Sequence, residues 1–353
     1  MMSARPWIAS VALAGTALLL ASCAGGASPA AEEPAAEDCT PSLEAAGPSE
    51  EAVTVEHALG TTEIPAGVER VASIGWGNQD VALALGVAPV GADDQTWSMD
   101  SSDGLGLYDW TTDGFAALCA PEPVVYSTAD GTDFTAIADS QPDLILAAYS
   151  GLTQEDYDTL SEIAPVVAYP EVPWFTPWRD TIRLDSEALG QAEAGEELIA
   201  SLEDQISQAT DGGEKFAGKK AAFVYVNPAD LSVVSVYGTS DSRTAFLGDL
   251  GFEFPETAEQ ATEDGAFYLD VAAENADMLD DFDVIVAYGD DTTAQALQDD
   301  PLWSTVPAVE AGAVAIAGNG DAFSGAVTPT ALSIPWMLDD YVGILEEAAT
   351  SAK

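Results

Sequence analysis

From residue 53 to residue 350 short apolar runs alternate with amphipathic stretches. Val53 and Val55 alternate with polar neighbours, and the run over 71–74 reads as a buried strand. A short helix over 80–85 ends at Gly86. Strands follow over 87–91, 124–126, 142–149 and 165–169, with helices over 134–139 and 155–163 between them. Short apolar strands alternating with helices predict a parallel sheet covered on both faces. After residue 212 the pattern repeats, with strands over 220–226, 232–237 and 282–289, a helix over 243–250, a helix–strand pair over 306–318 and a closing amphipathic helix over 329–348. Between the halves, Trp178, Ile182, Leu189, Ala192, Ile199, Leu202 and Ile206 recur at helical spacing. Gly190 and Gly195 weaken this stretch by about 1 kcal/mol each without ending it, so it predicts one helix of roughly 48 Å.

The fold class expected is therefore α/β, with two lobes, each a mainly parallel sheet flanked by helices, joined by one long rigid helix. The divisions are 1–22 as a signal peptide, 23–52 as a tether, 53–172 as the N-terminal lobe, 173–211 as the spine helix and 212–353 as the C-terminal lobe. With 353 residues and 47% apolar content, both lobes can hold full cores. Charge changes the picture most. Nine basic against 61 acidic residues give a net charge of −52, which excludes nucleic acid and an anionic membrane surface as electrostatic partners. We read the excess as a solvated acidic surface, against which each arginine stands out.

Arg5 precedes an apolar run over 7–20, too short for a membrane span and placed like a signal peptide. The run closes with Leu20-Ala21-Ser22-Cys23, which resembles a bacterial lipobox and marks Cys23 as the lipidation site. Residues 24–52 are rich in Ala, Pro, Glu, Ser and Gly, the composition of a flexible tether. Cys39 and Cys119 remain, in an exported and oxidising setting, and are expected to form a disulfide that pins the tail to the first lobe, with two free thiols as the alternative. His57 is the only histidine. One imidazole cannot build a histidine-rich metal cage, and its position in the first hairpin marks it as structural. Hydrolase triads and the zinc-protease motif fall with it. No calcium-loop spacing occurs, and Gly75-Trp76-Gly77 lacks the rest of a dinucleotide fingerprint, so no catalytic or metal site is expected.

Several ordered stretches carry a resemblance: EHALGTTEIPAGVERVASIGWGNQDVALALGVAPVGA, QPDLILAAYSGLTQEDYDTLSEIAPVVAYP, the long helix, SRTAFLGDLGF and DPLWSTVPAVEAGAVAIAGN. Together with the lipobox the chain resembles the iron–siderophore substrate-binding lipoproteins of ABC importers over residues 53–350. The resemblance implies two lobes around a ligand cleft, with loops at strand ends supplying the contacts. It implies a ferric siderophore as ligand, no cofactor and no enzymatic activity. The implied partners are an integral membrane permease and its ATPase. It implies a monomer, lipid-anchored on the outer face of the cytoplasmic membrane. Cobalamin and haem binders share the architecture and supply the second ligand reading. An exported enzyme on the same scaffold is a further one, and would need a clustered acid/base or metal constellation.

A bulky ferric complex needs flat apolar walls and a few fixed charges in a dry cleft. Beyond the leader the chain has four arginines, Arg70, Arg179, Arg183 and Arg243. Arg243, in Ser242-Arg243-Thr244, falls where the resemblance implies a ligand-contacting arginine, and Arg179 opens the spine. Trp76, Trp97, Tyr149, Tyr237 and Tyr288 fall at strand ends or in the loops after them, and Trp174 in the crossover, so these six are the expected aromatic walls. Trp178 and Trp303 are expected in the core or at the lobe junction.

Overall fold

The first sheet draws its interior from runs with no polar break. Strands β3 (Val71–Ser73), β4 (Gly91–Asp93), β5 (Val124–Tyr126), β6 (Leu144–Ala147) and β7 (Val166–Ala168) pair in the order β5-β4-β3-β6-β7, all parallel. Every residue of β3, β6 and β7 is buried, as expected of parallel strands covered on both faces. The flanking helices are α1 (Asn78–Ala84), α2 (Asp109–Ala117), α3 (Phe134–Asp139) and α4 (Gln154–Leu160). A hairpin of β1 (Val53–His57) and β2 (Gly60–Ile64) lies against β7, where Thr62 Oγ1 donates to the Val166 carbonyl at 2.6 Å. In that hairpin the Leu59 amide donates to His57 Nδ1 at 3.3 Å, which leaves Nε2 as the donor to Thr62 Oγ1 at 2.9 Å. The histidine is satisfied locally. The structure, a computed structural model, describes residues 39–96, 106–129 and 131–352. The expected signal peptide, Cys23, most of the tether and Trp97 lie outside them.

Two helices follow, α5 (Trp178–Ala188) and α6 (Ala192–Ala209), and they correct the expectation of one long rigid helix. Gly190 takes φ 71°. Its amide donates to the Glu187 carbonyl at 2.9 Å, and the Gln191 amide to the Ser186 carbonyl at 2.7 Å. That is a Schellman stop, in which the left-handed residue is a glycine because a Cβ is disfavoured there. The chain then turns back on itself. Arg179 reaches Glu203 at 2.6 Å and Arg183 reaches Glu196 at 2.8 Å, pairings possible only if α5 and α6 run antiparallel. Gly195 lets them close up, since a Cβ there would collide with Ser186 Oγ.

The second sheet, β8 (Ala221–Val226), β9 (Val233–Tyr237), β10 (Tyr268–Ala272), β11 (Val284–Ala287) and β12 (Val314–Ile316), has the order β10-β9-β8-β11-β12. It is mixed rather than mainly parallel: β8–β11 and β11–β12 are parallel, but β8–β9 and β9–β10 are antiparallel. The short link from Val226 to Val233 cannot make the crossover that a parallel partner requires. Helices α7 (Ser242–Asp249), α8 (Glu256–Glu263), α9 (Asp291–Asp299), α10 (Pro307–Ala311), α11 (Ala322–Ala326) and α12 (Ser333–Ser351) complete this half.

One core cluster runs through both halves. It passes from Val71, Leu144 and Val167, through Ile182, Ile199, Leu202 and Ile206 of the helical hairpin, to Phe223, Val284, Met337 and Tyr341. Each such aliphatic side chain contributes about 1.5–3 kcal/mol by leaving water, so the hairpin is welded to both sheets. Buried Asp80 of α1 ties the return of the chain to the first half. It accepts from Thr330 Oγ1 at 2.6 Å, Thr111 Oγ1 at 2.7 Å and Trp110 Nε1 at 3.0 Å. Burial pushes its pKa up to about 6, against the pull of these donors. Cys39 and Cys119 are disulfide-bonded to each other. The Ser42 and Leu43 amides donate to the Ala117 carbonyl at 2.9 and 3.2 Å. Residues Thr40–Lys353 make one compact unit.

Candidate ligand cleft

In the first sheet, connections run one way from β3 to β4 and β5 and the other way to β6 and β7. The loops leaving β3 and β6 therefore part at a crevice, the usual place for a ligand on an open α/β sheet. Here they are stitched together. The Trp76 amide donates to the Tyr149 carbonyl at 3.0 Å, and the Tyr149 amide donates to Asn78 Oδ1 at 3.1 Å. A cavity of about 590 Å³ opens above them, lined by Trp76, Tyr149, Ser150, Trp174, Phe267 and Arg243 among others. That volume suits a medium-sized organic ligand.

Arg243 comes from the first turn of α7, whose N-cap is Asp241. The capping carboxylate accepts from the Arg243 and Thr244 amides at 3.0 and 3.4 Å. It also grips the guanidinium, with Nε at 3.0 Å and Nη2 at 2.7 Å. Asp241 is 2% exposed and Arg243 12%. Burial opposes the arginine's charge, but the field and hydrogen bonds of Asp241 outweigh it and hold the group protonated. The guanidinium carbon stands 4.1 Å from the ring centre of Tyr237, 5.2 Å from Phe223 and 5.6 Å from Tyr288. Only Nη1 has a long contact, 3.5 Å to Tyr288 Oη. It is the nitrogen best placed to donate to an oxygen in the cavity.

The aromatic walls converge from both halves. Tyr149 Oη meets Ser242 Oγ at 3.0 Å, bridging the two sheets. Burial and Asp241 push its pKa up to about 12, so it is a neutral phenol. Trp174 packs edge-on against Tyr149 at 5.6 Å between ring centres and is 41% exposed. Trp76 is buried, with Nε1 donating to the Thr328 carbonyl at 3.2 Å. Of the expected site residues, Trp76, Tyr149, Trp174 and Arg243 line the cavity, while Tyr237 and Tyr288 stand behind Arg243 as its cage. Arg179 is elsewhere. It lies over the Trp178 ring at 4.2 Å, with Nη1 2.9 Å from Asp249 Oδ1 and Nε 2.6 Å from Glu203. It clamps α5 to α6 and α7.

Sequence reasoning missed Phe267, which faces Phe175 and Tyr237 at 5.0 and 6.0 Å. It also missed Asp93, a buried carboxylate that accepts from the Gly75 amide at 2.8 Å, the Thr128 amide at 3.0 Å and Thr128 Oγ1. Burial raises the Asp93 pKa, opposed by those donors. Among the described residues no three His, Cys, Asp or Glu side chains are grouped so as to hold a metal ion. Among the same residues no helix is long and apolar enough to cross a membrane.

Residues 71–319 match the family described as periplasmic binding protein. The probable siderophore-binding lipoprotein YfiY of Bacillus subtilis is 27% identical over 253 residues, covering 71% of this chain and 72% of that one. The crystal structure of PiaA from Streptococcus pneumoniae TIGR4 in complex with ferrichrome is 42% identical. It has a TM-score of 0.81 and covers 85% of this chain and 100% of that one. A periplasmic solute binding protein from Mycobacterium smegmatis is 28% identical, with a TM-score of 0.69 and coverage of 85% and 100%.

Proposed function

Because the chain belongs to the periplasmic binding protein family, we propose that it is an extracytoplasmic, lipid-anchored solute-binding protein that captures a ferric siderophore in the cleft and delivers it to an ABC-type permease and its ATPase. The observation that carries this reading is a cavity of about 590 Å³ walled by Trp76, Tyr149, Trp174 and Phe267, with the half-buried Arg243 at its side. Aromatic faces take the organic skirt of a ferric complex, and Nη1 of Arg243 donates to an oxygen of its iron-binding groups. The PiaA complex with ferrichrome supports the same class of ligand. The cleft binds and releases; it performs no chemistry on its cargo.

Intrinsic tryptophan fluorescence tests the reading, because Trp76 and Trp174 stand at the cavity wall. The full chain in detergent is titrated with ferric hydroxamates, ferric catecholates, haem and cobalamin. Saturable quenching by a ferric siderophore, reduced in Trp174→Phe, is expected. Quenching by haem or cobalamin alone would replace the ligand, and no response to any ferric siderophore would sink the proposal.

A further inference from the structure

The cleft has a charge balance that its single arginine conceals. Among the described residues lining the cavity, the ionisable carboxylic acids are Asp93, Asp94, Asp156 and Asp241, and the only base is Arg243. Asp241 holds Arg243 through two hydrogen bonds and neutralises it. With one formal charge of +1 against four of −1, the remaining three carboxylic acids leave an excess of −3, and among the described lining residues no further cationic side chain faces it. None of the three has a salt bridge among the described residues. Their hydrogen bonds come from neutral donors: Asp93 from the Gly75, Asp94 and Thr128 amides, Asp94 from the Thr96 and Gly106 amides, and Asp156 from Thr153 Oγ1. Such donors bring no positive charge, so they do not cancel that of the carboxylates, and at Asp93 they are outweighed by burial, which raises its pKa. The arginine is thus a hydrogen-bond donor of fixed direction and supplies no net positive field. Trp76, Tyr149, Trp174 and Phe267 share the lining with these groups, and apolar walls lengthen the reach of a charge beside them.

We propose that the cleft selects its ferric complex by charge, holding cationic complexes most tightly, neutral ones next and polyanionic ones most weakly. The favoured ligand class is a trishydroxamate, whose three singly charged bidentate groups balance iron(III), and within that class a linear chain ending in a free ammonium. A triscatecholate leaves a trianionic complex and brings like charge to like. This inference rests on the reading of the cleft as a ferric siderophore site and names which siderophores it takes.

The probes are ferrichrome as the neutral trishydroxamate, a linear trishydroxamate complex bearing an ammonium, and a trianionic triscatecholate complex. Dissociation constants are measured on the full chain in detergent at low and high salt. The expected order at low salt is cationic, neutral, trianionic, with about tenfold between the first two and a larger gap to the third. Salt compresses the gaps. Asp156→Asn, which keeps an acceptor for Thr153, should weaken the cationic complex several-fold and tighten the trianionic one. Asp94→Asn should act in the same direction, while Glu310→Gln on exposed α10 should change none of the three and so separates the cleft from the bulk charge. Equal or tighter binding of the trianionic complex in the unmodified chain would overturn the charge selection while leaving siderophore capture standing. Failure of all three complexes to bind would overturn both.

Discussion

Asp185 lies on the buried side of α5, with no exposed surface, and neither carboxyl oxygen has a hydrogen-bond partner among the described residues. A charge in that position would be desolvated with nothing in return, so burial raises its pKa well above the ordinary carboxylate range. In the unfolded chain an aspartate titrates near 3.9. Below that pH both states carry the proton, and the group's contribution to stability is at its most favourable. As pH rises the unfolded chain loses the proton while the folded one keeps it. Each pH unit then lowers stability by about 1.4 kcal/mol until the folded carboxyl ionises in turn. Asp185→Asn keeps the shape and removes the ionisation. The stability of the variant minus that of the parent should be flat below about pH 4, then grow by about 1.4 kcal/mol per pH unit to a plateau. Urea unfolding of both proteins between pH 4 and 8 in high salt measures it. Taking the difference cancels the titration of the other acidic residues, 60 of the chain's 61. A difference independent of pH, or a variant less stable than the parent at pH 7, would refute the reasoning.

Three further predictions follow from the packing. Asp80→Ala strands the donors of Thr330, Thr111 and Trp110 in the core and should cost about 3–5 kcal/mol in urea unfolding; a loss under 1 kcal/mol would show the network to be dispensable. Gly151→Val would drive a side chain into the Trp174 indole, and Trp174 is exposed enough to swing away. Siderophore affinity should fall at least tenfold with a melting temperature nearly unchanged, and retained affinity would remove Trp174 from the wall. Arg179→Met breaks the link to Glu203 and Asp249 and should cost about 1–2 kcal/mol, discounted for partial exposure, with ligand affinity unaltered; reduced affinity would return Arg179 to the site.

The alternation of strands and helices was legible because parallel strands buried on both faces read as unbroken apolar runs, and β6 shows this in Leu144–Ala147. Scarcity in so acidic a chain drew attention to all four arginines beyond the leader, and it was the resemblance that singled out Arg243, in Ser242-Arg243-Thr244. The fold-back of α5 on α6 was hidden, since helical spacing continues in phase on both sides of Gly190 whether the helix runs on or reverses. Only the left-handed conformation at Gly190 separates the two, and an apolar pattern does not record it. The antiparallel β9 could have been read from its short link to β8. Asp93 could not, because one carboxylate among 61 acidic residues has no distinguishing context until Gly75 and Thr128 close over it. Phe267 sits beside an edge strand, outside any periodic run, and Trp97 lies outside the described residues.

The helical hairpin has a kinetic consequence. Its first arm packs on α1 and its second on α12, and the arms are fastened by Arg179–Glu203 and Arg183–Glu196. A large opening of the cleft would have to slide one arm past the other, breaking both ion pairs and exposing Ile199, Leu202 and Ile206. Loading and unloading therefore proceed at nearly constant shape, and small-angle scattering should give the same radius of gyration with and without ligand. The residence time of a bound ligand should then be set by side chains at the mouth of the cavity, Trp174 first among them, rather than by any parting of the two sheets.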